Sequence, residues 1–253
     1  MTQHHAYGCI MRAFAELQAL PLRQDQGMMS TTIYLESAPE DGAAPIKLAS
    51  RGSRLAKSIL DYAGSIALLV LLSPVMATIA LLLLRTGRPV LYAHERVGLN
   101  GQVFRCFKFR TMVPNASEKL SELLERDPEL KASWQRRRKL KSDPRITPLG
   151  GFLRRTSLDE LPQLFNVLRG EMSLVGPRPV MIDELAHYGH DVVYYIQVKP
   201  GISGLWQVSG RNDIDYANRV FLDVWYVQHW SPVFDCAILL RTPRAVLRRS
   251  GAY

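Results

Sequence analysis

In the stretch ITPLGGFLRRTSLDELPQLFNVLRGEMSLVGPRP two carboxylates, Asp159 and Glu160, stand side by side among arginines. Arg154 and Arg155 precede them, and Gly176-Pro177-Arg178-Pro179 follows. A proline on each side of Arg178 restricts the backbone and holds one guanidinium in place. Guanidinium groups match phosphate oxygens two at a time. Mg2+ prefers a few carboxylates together with phosphate oxygens. Ionised carboxylates beside fixed arginines therefore suggest Mg2+ and a phosphate substrate, and an ionised Asp can itself attack phosphorus. Taken alone, the pair reads more plainly as helix capping.

The elements around the pair bear on that choice. Ser157-Leu158-Asp159-Glu160 has the form of a capping box before an apolar run. Leu161, Leu164, Phe165 and Leu168 repeat at helical spacing, and Gly170 stops the helix. Pro162 belongs in a first turn, which moves the expected start nearer Asp159. Both carboxylates then sit at a helix N-terminus, where the dipole favours their ionised forms. Upstream, Val90–His94 and Val103–Phe109 read as two strands around the turn dipeptide Asn100-Gly101. Lys108 and Arg110 fall on one side of the pleat and Phe107 and Phe109 on the other, so the edge either meets phosphate or is a solvated charged edge. The segment ASEKLSELLERDPELKASWQRRRKLK is helical, with a break near Asp127-Pro128. Its basic run Arg136–Lys141 suits anionic lipid or nucleic acid, or is a solvated face. Only Trp134 is nearby, which argues against stacking on single strands.

A second feature is the apolar helix. No charged residue occurs from Ala63 to Leu84, a length of about 33 Å at 1.5 Å per residue and close to the thickness of a bilayer core. Ser73-Pro74 lies at its centre. Proline removes an N–H and kinks a helix, and a neighbouring serine makes the bend tolerable in lipid. Arg51, Arg54 and Lys57 precede the run, and Arg85 and Arg88 follow it. Basic flanks stay cytoplasmic, so a re-entrant helix that enters one leaflet and returns satisfies both ends. A kinked single span is the competing reading.

The chain has 253 residues, 32 Lys and Arg against 23 Asp and Glu, and a formal charge of +9. That balance favours anionic partners. Cys9, Cys106 and Cys236 show no metal or redox spacing, which fits a reducing cytosol. His187 and His190 lack a third ligand for zinc. Residues 1–50 read as a flexible tail without a signal peptide.

The motifs together resemble the bacterial sugar transferases, the monotopic polyprenyl-phosphate phosphoglycosyl transferases. The resemblance rests on SPV in an apolar helix, KFRTM, RRTSLDELPQLFNVLRGEMSLVGPRP, KPGISGLWQVSGR and FLDVWYV, in the family's order. It runs from about Ser53 to Tyr253 and matches the short form with a catalytic domain only. It implies an α+β fold: a monotopic membrane protein with a re-entrant helix broken at Ser73-Pro74, a β-hairpin, and a mostly helical cytosolic catalytic domain with interfacial helices. The expected parts are a tail over 1–50, a membrane helix over 51–88 and the catalytic domain over 89–253. The C-terminal segment, bent at Pro243, is expected to lie at the interface on anionic lipid.

The resemblance also implies an activity. A sugar-1-phosphate passes from a UDP-sugar, glucose or galactose favoured, to undecaprenyl phosphate at the cytosolic face of the bacterial inner membrane, as the initiating step of exopolysaccharide or other glycoconjugate synthesis. Asp159 is then the nucleophile and Glu160 the Mg2+ ligand. Arg178 holds a substrate phosphate, Lys108 and Arg154 orient the dyad or phosphates, and Arg211 belongs to the KPGISGLWQVSGR block. A homodimer is compatible with this, and no nucleic acid is expected. The alternative is a membrane-tethered basic binding module for anionic lipid or nucleic acid, which leaves the Asp-Glu pair and the proline-flanked arginine without a purpose.

Overall fold

The structure, a computed structural model, describes residues 50–127, 130, 140, 143–210 and 214–247. The expected tail up to residue 49, most of the basic run from Arg136 to Lys141, and Arg211 lie outside the described residues.

The apolar run forms helix α1, Arg51–Arg85, of 35 residues, about 52 Å long at 1.5 Å per residue. Ser50 opens it, its Oγ accepting the Ser53 N–H at 3.1 Å. The expected break at Ser73-Pro74 does not interrupt the helix, which continues through Pro74. The reason is local. Pro74 leaves the Val70 carbonyl without its usual donor, and the Ser73 hydroxyl donates to that carbonyl at 2.8 Å. Thr78 Oγ1 donates in the same way to the Pro74 carbonyl, also at 2.8 Å. Among the described residues this is the one helix long and apolar enough, by length and composition, to cross a membrane.

Both ends of α1 pack on the same body. Near its start, Lys57 Nζ donates to Asp235 Oδ2 at 2.6 Å and to the Val175 carbonyl at 2.7 Å. Asp61 accepts from the Leu174 N–H and the Ser173 hydroxyl, each at 2.9 Å. Near its end, Ile79 and Leu83 pack with Phe109 and Leu153. The side turned away exposes Ile66, Val70, Leu71 and Val75, an apolar surface of the kind that marks a membrane or partner contact.

After α1 comes a hairpin of β1, Leu91–Val97, and β2, Val103–Phe109, antiparallel with Leu91 opposite Phe109 and Val97 opposite Val103. Its turn has Asn100 at φ 56° and Gly101 at φ 74°, the left-handed region that Asn and Gly tolerate best. Strand β1 runs past His94 to Val97. There the Val97 N–H donates to the Val180 carbonyl at 2.9 Å and the side chain joins Val180, Tyr188 and Tyr195 in the core. Alternation in β2 buries Phe104 and Cys106 against Val167 and Met172.

Helix α2, Ala116–Arg126, stops at Asp127, where a break was expected. Helices α3, Pro148–Thr156, and α4, Gln163–Leu168, lead to strand β3, Ser173–Val175. The short helix α5, Val192–Tyr195, precedes β4, Gly201–Ser203, which pairs in parallel with β3. Helices α6, Leu205–Ser209, α7, Tyr216–Gln228, and α8, Pro232–Leu247, are the last elements among the described residues. The largest core cluster joins Leu164, Leu174, Leu205, Tyr226 and Ile238. The expected bend at Pro243 does not end α8, which continues to Leu247 with Leu240 and Leu247 exposed. The molecule is a mixed helix and strand fold, mostly helical, with one long apolar helix near the start of the described residues.

Candidate active site

The Asp159-Glu160 pair is set by a turn and not by a helix cap. Ser157 closes α3 in the left-handed region at φ 56° and makes no side-chain cap bond to the next turn. Leu158–Glu160 is a single 3-10 turn, and α4 starts only at Gln163. Pro162 has no N–H to offer, so it precedes the helix instead of opening the turn at Asp159. The expected capping box is therefore absent.

Asp159 is 8% exposed. Burial, with the neighbouring Glu160 adding to it, pushes its carboxyl up to about 6, while Lys108 and Arg154 pull the other way. The dipole argument expected the opposite direction. A helix of six residues has too small a dipole to offset loss of water around a carboxylate. Glu160 accepts from Lys108 Nζ at 2.6 Å. Burial alone would lower Lys108, but the charges of Glu160 and Asp159 outweigh it and hold the ammonium above its ordinary range.

The positions of Lys108 and Arg154 follow from backbone packing. Asn166 on α4 accepts the Phe107 N–H at 3.0 Å and donates to the Arg105 carbonyl at 2.8 Å, which locks β2 beside the turn that carries the dyad. A Cβ at Gly150 would lie 1.9 Å from the Thr111 carbonyl oxygen, so only glycine lets α3 rest on that peptide. One turn later on the same face, Arg154 Nε donates to Thr111 Oγ1 at 2.8 Å. Asp159, Glu160, Lys108 and Arg154 are thereby brought together.

Arg178 comes from a separate loop. Its guanidinium reaches Glu184 Oε1 at 3.4 Å. The loop lies on the KPGISG block: Gly201 N–H donates to the Pro177 carbonyl at 2.8 Å and Gly176 N–H to the Ser203 carbonyl at 3.0 Å. A Cβ at Gly201 would sit 2.0 Å from the Gly176 nitrogen. The block is a bed for the arginine loop. Cys106 is within electrostatic reach of Lys108 and Glu160 and also of Arg96 and Arg178; burial pushes its thiol up to about 11.

Arg110 departs from the expected phosphate edge. It is 6% exposed and turns to the end of α1, donating to the Leu83 carbonyl at 3.2 Å and Thr86 Oγ1 at 2.8 Å. The chain leaves the pleat after Phe109, so the alternation that paired it with Lys108 no longer applies. It adds a donor to one helix-end carbonyl and one side-chain hydroxyl. Thr111, Asn166 and Glu184 were not singled out from sequence. Asn166 had a readable signal, a polar residue inside an apolar helical run, whereas Thr111 had none.

No group of three or more His, Cys, Asp or Glu side chains clusters for a metal among the described residues. Two adjacent carboxylates, one buried and one half-exposed beside cations, still fit Mg2+, an ion commonly held by one or two carboxylates and the phosphates of its substrate.

Fold and site define a class: a mostly helical domain on a long apolar helix, with a carboxylate pair, one member buried, beside cations suited to phosphate. The family model described as "Bacterial sugar transferase" matches residues 52–249, and the chain belongs to that family. It is similar to "Undecaprenyl-phosphate galactose phosphotransferase" of Salmonella typhimurium, 55% identical over 206 residues that cover 81% of this chain and 43% of that protein. It is also similar to "Exopolysaccharide production protein ExoY" of Rhizobium meliloti, 48% identical over 200 residues, 79% of this chain and 88% of that protein. "Undecaprenyl-phosphate glucose phosphotransferase" of Komagataeibacter xylinus is 39% identical over 216 residues, 81% of this chain and 38% of that protein. The chain thus spans less than half the length of the Salmonella relative.

Proposed function

We propose that this protein transfers a sugar-1-phosphate from a UDP-sugar, galactose or glucose, to undecaprenyl phosphate, releasing UMP and giving undecaprenyl-diphosphate-sugar as the first step in making an exopolysaccharide or other glycoconjugate. The observation that carries the reading is the buried Asp159 with Glu160, Lys108 and Arg154 around it, in a chain whose relatives are named for galactose and glucose phosphate transfer to that lipid.

In the first half-reaction an oxygen of ionised Asp159 attacks the sugar-bearing phosphorus. The bond from that phosphorus to the UMP oxygen breaks, and UMP leaves. In the second, a phosphate oxygen of the lipid attacks the same phosphorus, and the Asp159 carboxylate is regenerated. Lys108 and Arg154 hold negative charge beside Asp159, and Arg178 holds a phosphate from the facing loop. Glu160 would hold Mg2+, which when bound neutralises charge on the phosphates. The test is a panel of UDP-sugars with undecaprenyl phosphate in detergent, scoring UMP release. One hexose is expected to release UMP in the presence of Mg2+. No release with any sugar would favour the binding-module alternative.

The membrane arrangement in this reading is monotopic, with α1 held in one leaflet and both of its ends at the cytosolic face of the inner membrane. It is supported by the two ends of α1, which pack on one body through Lys57 and Asp61 and through Ile79 and Leu83. A helix crossing the bilayer would have to bring that body to both sides. Single cysteines introduced as Arg51→Cys and Arg88→Cys, with Cys9 and Cys236 changed to serine, are expected to resist an impermeant thiol reagent in intact cells. Labelling of one end from outside would overturn the arrangement.

A further inference from the structure

Behind Arg178 is a buried polar cluster that the reaction as written does not use. Asp223 on α7 is 3% exposed, and its Oδ2 accepts the Tyr188 hydroxyl at 2.8 Å. Asp223 Oδ1, Trp206 Nε1 and the Tyr216 hydroxyl are all buried without a hydrogen-bond partner among the described residues. These residues, with Arg178, Tyr188 and Arg219, line one cavity of about 10 Å³, roughly the space that a single water needs. A water there would accept from Trp206 Nε1 and donate to Asp223 Oδ1, with Tyr216 able to act either way.

The cluster is directed at the arginine loop. Arg219 lies over the Trp206 ring at 4.8 Å and donates from Nε to the Ile214 carbonyl at 3.0 Å, so its guanidinium is held against the cavity wall. Arg178 has one further anchor, Glu184, which is shared with Arg96 at 3.1 Å. Burial pushes the Asp223 carboxyl up to about 7, while the Tyr188 hydroxyl and the backbone N–H and charge of Arg178 hold it down. A carboxyl group set among Trp206, Tyr216 and Arg178 on one small cavity gives those buried polar groups a counterpart that an apolar residue would not.

We propose that Asp223 is a positioning residue for Arg178, setting the arginine loop through Tyr188 and through one water shared with Trp206 and Tyr216. The inference rests on the reading of Arg178 as a phosphate-binding group. It gives a role to the Trp of KPGISGLWQVSGR and the Asp of FLDVWYV, which the dyad chemistry does not require.

The test uses the full chain in detergent with the UDP-sugar that supports UMP release. Asp223→Asn keeps the size and removes the charge, Tyr188→Phe removes one hydrogen bond, and Arg178→Lys removes the planar fork. Asp223→Asn is expected to lower kcat/KM for the UDP-sugar about 10- to 100-fold, the range for loss of a charged hydrogen bond, mostly through KM, with Tm unchanged or raised. Tyr188→Phe should give a smaller loss of the same kind. In the double variant with Arg178→Lys, the two losses should not multiply. Losses that multiply, an Asp223→Asn enzyme with wild-type kinetics, or a loss that only follows a fall in Tm would each overturn the positioning role while leaving Arg178 in the phosphate site. Wild-type turnover by Arg178→Lys would overturn that prior reading, and the inference with it.

Discussion

Asp159→Asn is expected to reduce turnover at least about a thousand-fold and at the same time to make the protein more stable. The first effect follows from the two-step route proposed above: a carboxamide is a far poorer nucleophile than a carboxylate, and that route has no other covalent step. Incubation of the wild-type protein with its UDP-sugar and Mg2+, without lipid acceptor, should add the mass of a hexose phosphate, and the asparagine variant should not gain it. Ping-pong kinetics should accompany the adduct. Intersecting kinetics with no adduct would assign both carboxylates to metal binding and leave the transfer direct. The second effect follows from burial. In chelator, the native Asp159 carboxyl takes its proton at about 6 and the unfolded one at 3.8. Below about pH 3 both states are protonated and the side chain costs nothing. As pH rises through 3.8 toward 6 the unfolded state ionises first, so native stability falls, by on the order of 3 kcal/mol in full. The variant's Tm advantage should therefore be absent below about pH 3 and complete above about pH 7. An equal Tm at pH 8 would show that the carboxylate is better solvated than its burial indicates.

The other large effect is expected at Lys57. Asp235 is fully buried and accepts from Tyr226 at 2.7 Å and Trp230 at 3.0 Å, with Lys57 Nζ at 2.6 Å supplying the opposite charge. Burial raises the Asp235 carboxyl and Lys57 is the main influence that lowers it. Lys57→Ala leaves that carboxylate unpaired in the core, a change that costs about 3–5 kcal/mol and, at this chain length, roughly 6–20 °C in Tm. Adding Asp235→Asn should recover part of the loss, since the charge that lacked a partner is gone. Thermal unfolding in detergent measures both. An unchanged Tm for Lys57→Ala would show that the ion pair is too well solvated to hold α1 to α8.

Short-range features of the chain were legible. Asn100-Gly101 marked the hairpin, and the observed strands differ mainly in the extra reach of β1 to Val97, which a core contact with Val180 decides. The grouping of the adjacent carboxylates with Lys108 and Arg154 was legible from residue type and motif order. What sequence could not supply was direction and depth. Alternation placed Arg110 beside Lys108, but the backbone turn after Phe109 sends it to the end of α1. The adjacency of Asp159 and Glu160 suggested ionised groups at a helix start, whereas one is buried under its neighbours. Ser73 beside Pro74 reads as easing a bend, but not as carrying the helix on through Pro74, which the Ser73 hydroxyl on the Val70 carbonyl does. Lys57 and Asp235 are 178 positions apart, so their pairing had no local trace.

The way α1 is fastened has a practical meaning for anyone cutting the protein down. Its first half grips β3, which runs directly into the Gly176-Pro177-Arg178-Pro179 loop, through Lys57 and Asp61. Its last turn grips Arg110, two residues after Lys108. The helix is thus a beam shared by the segments that carry Arg178 and Lys108. Trimming residues 51–85 to obtain a soluble fragment would strip the arginine loop and the lysine strand of their common support, and a lipid tail or a foreign membrane segment in its place would restore attachment to the bilayer without restoring that support.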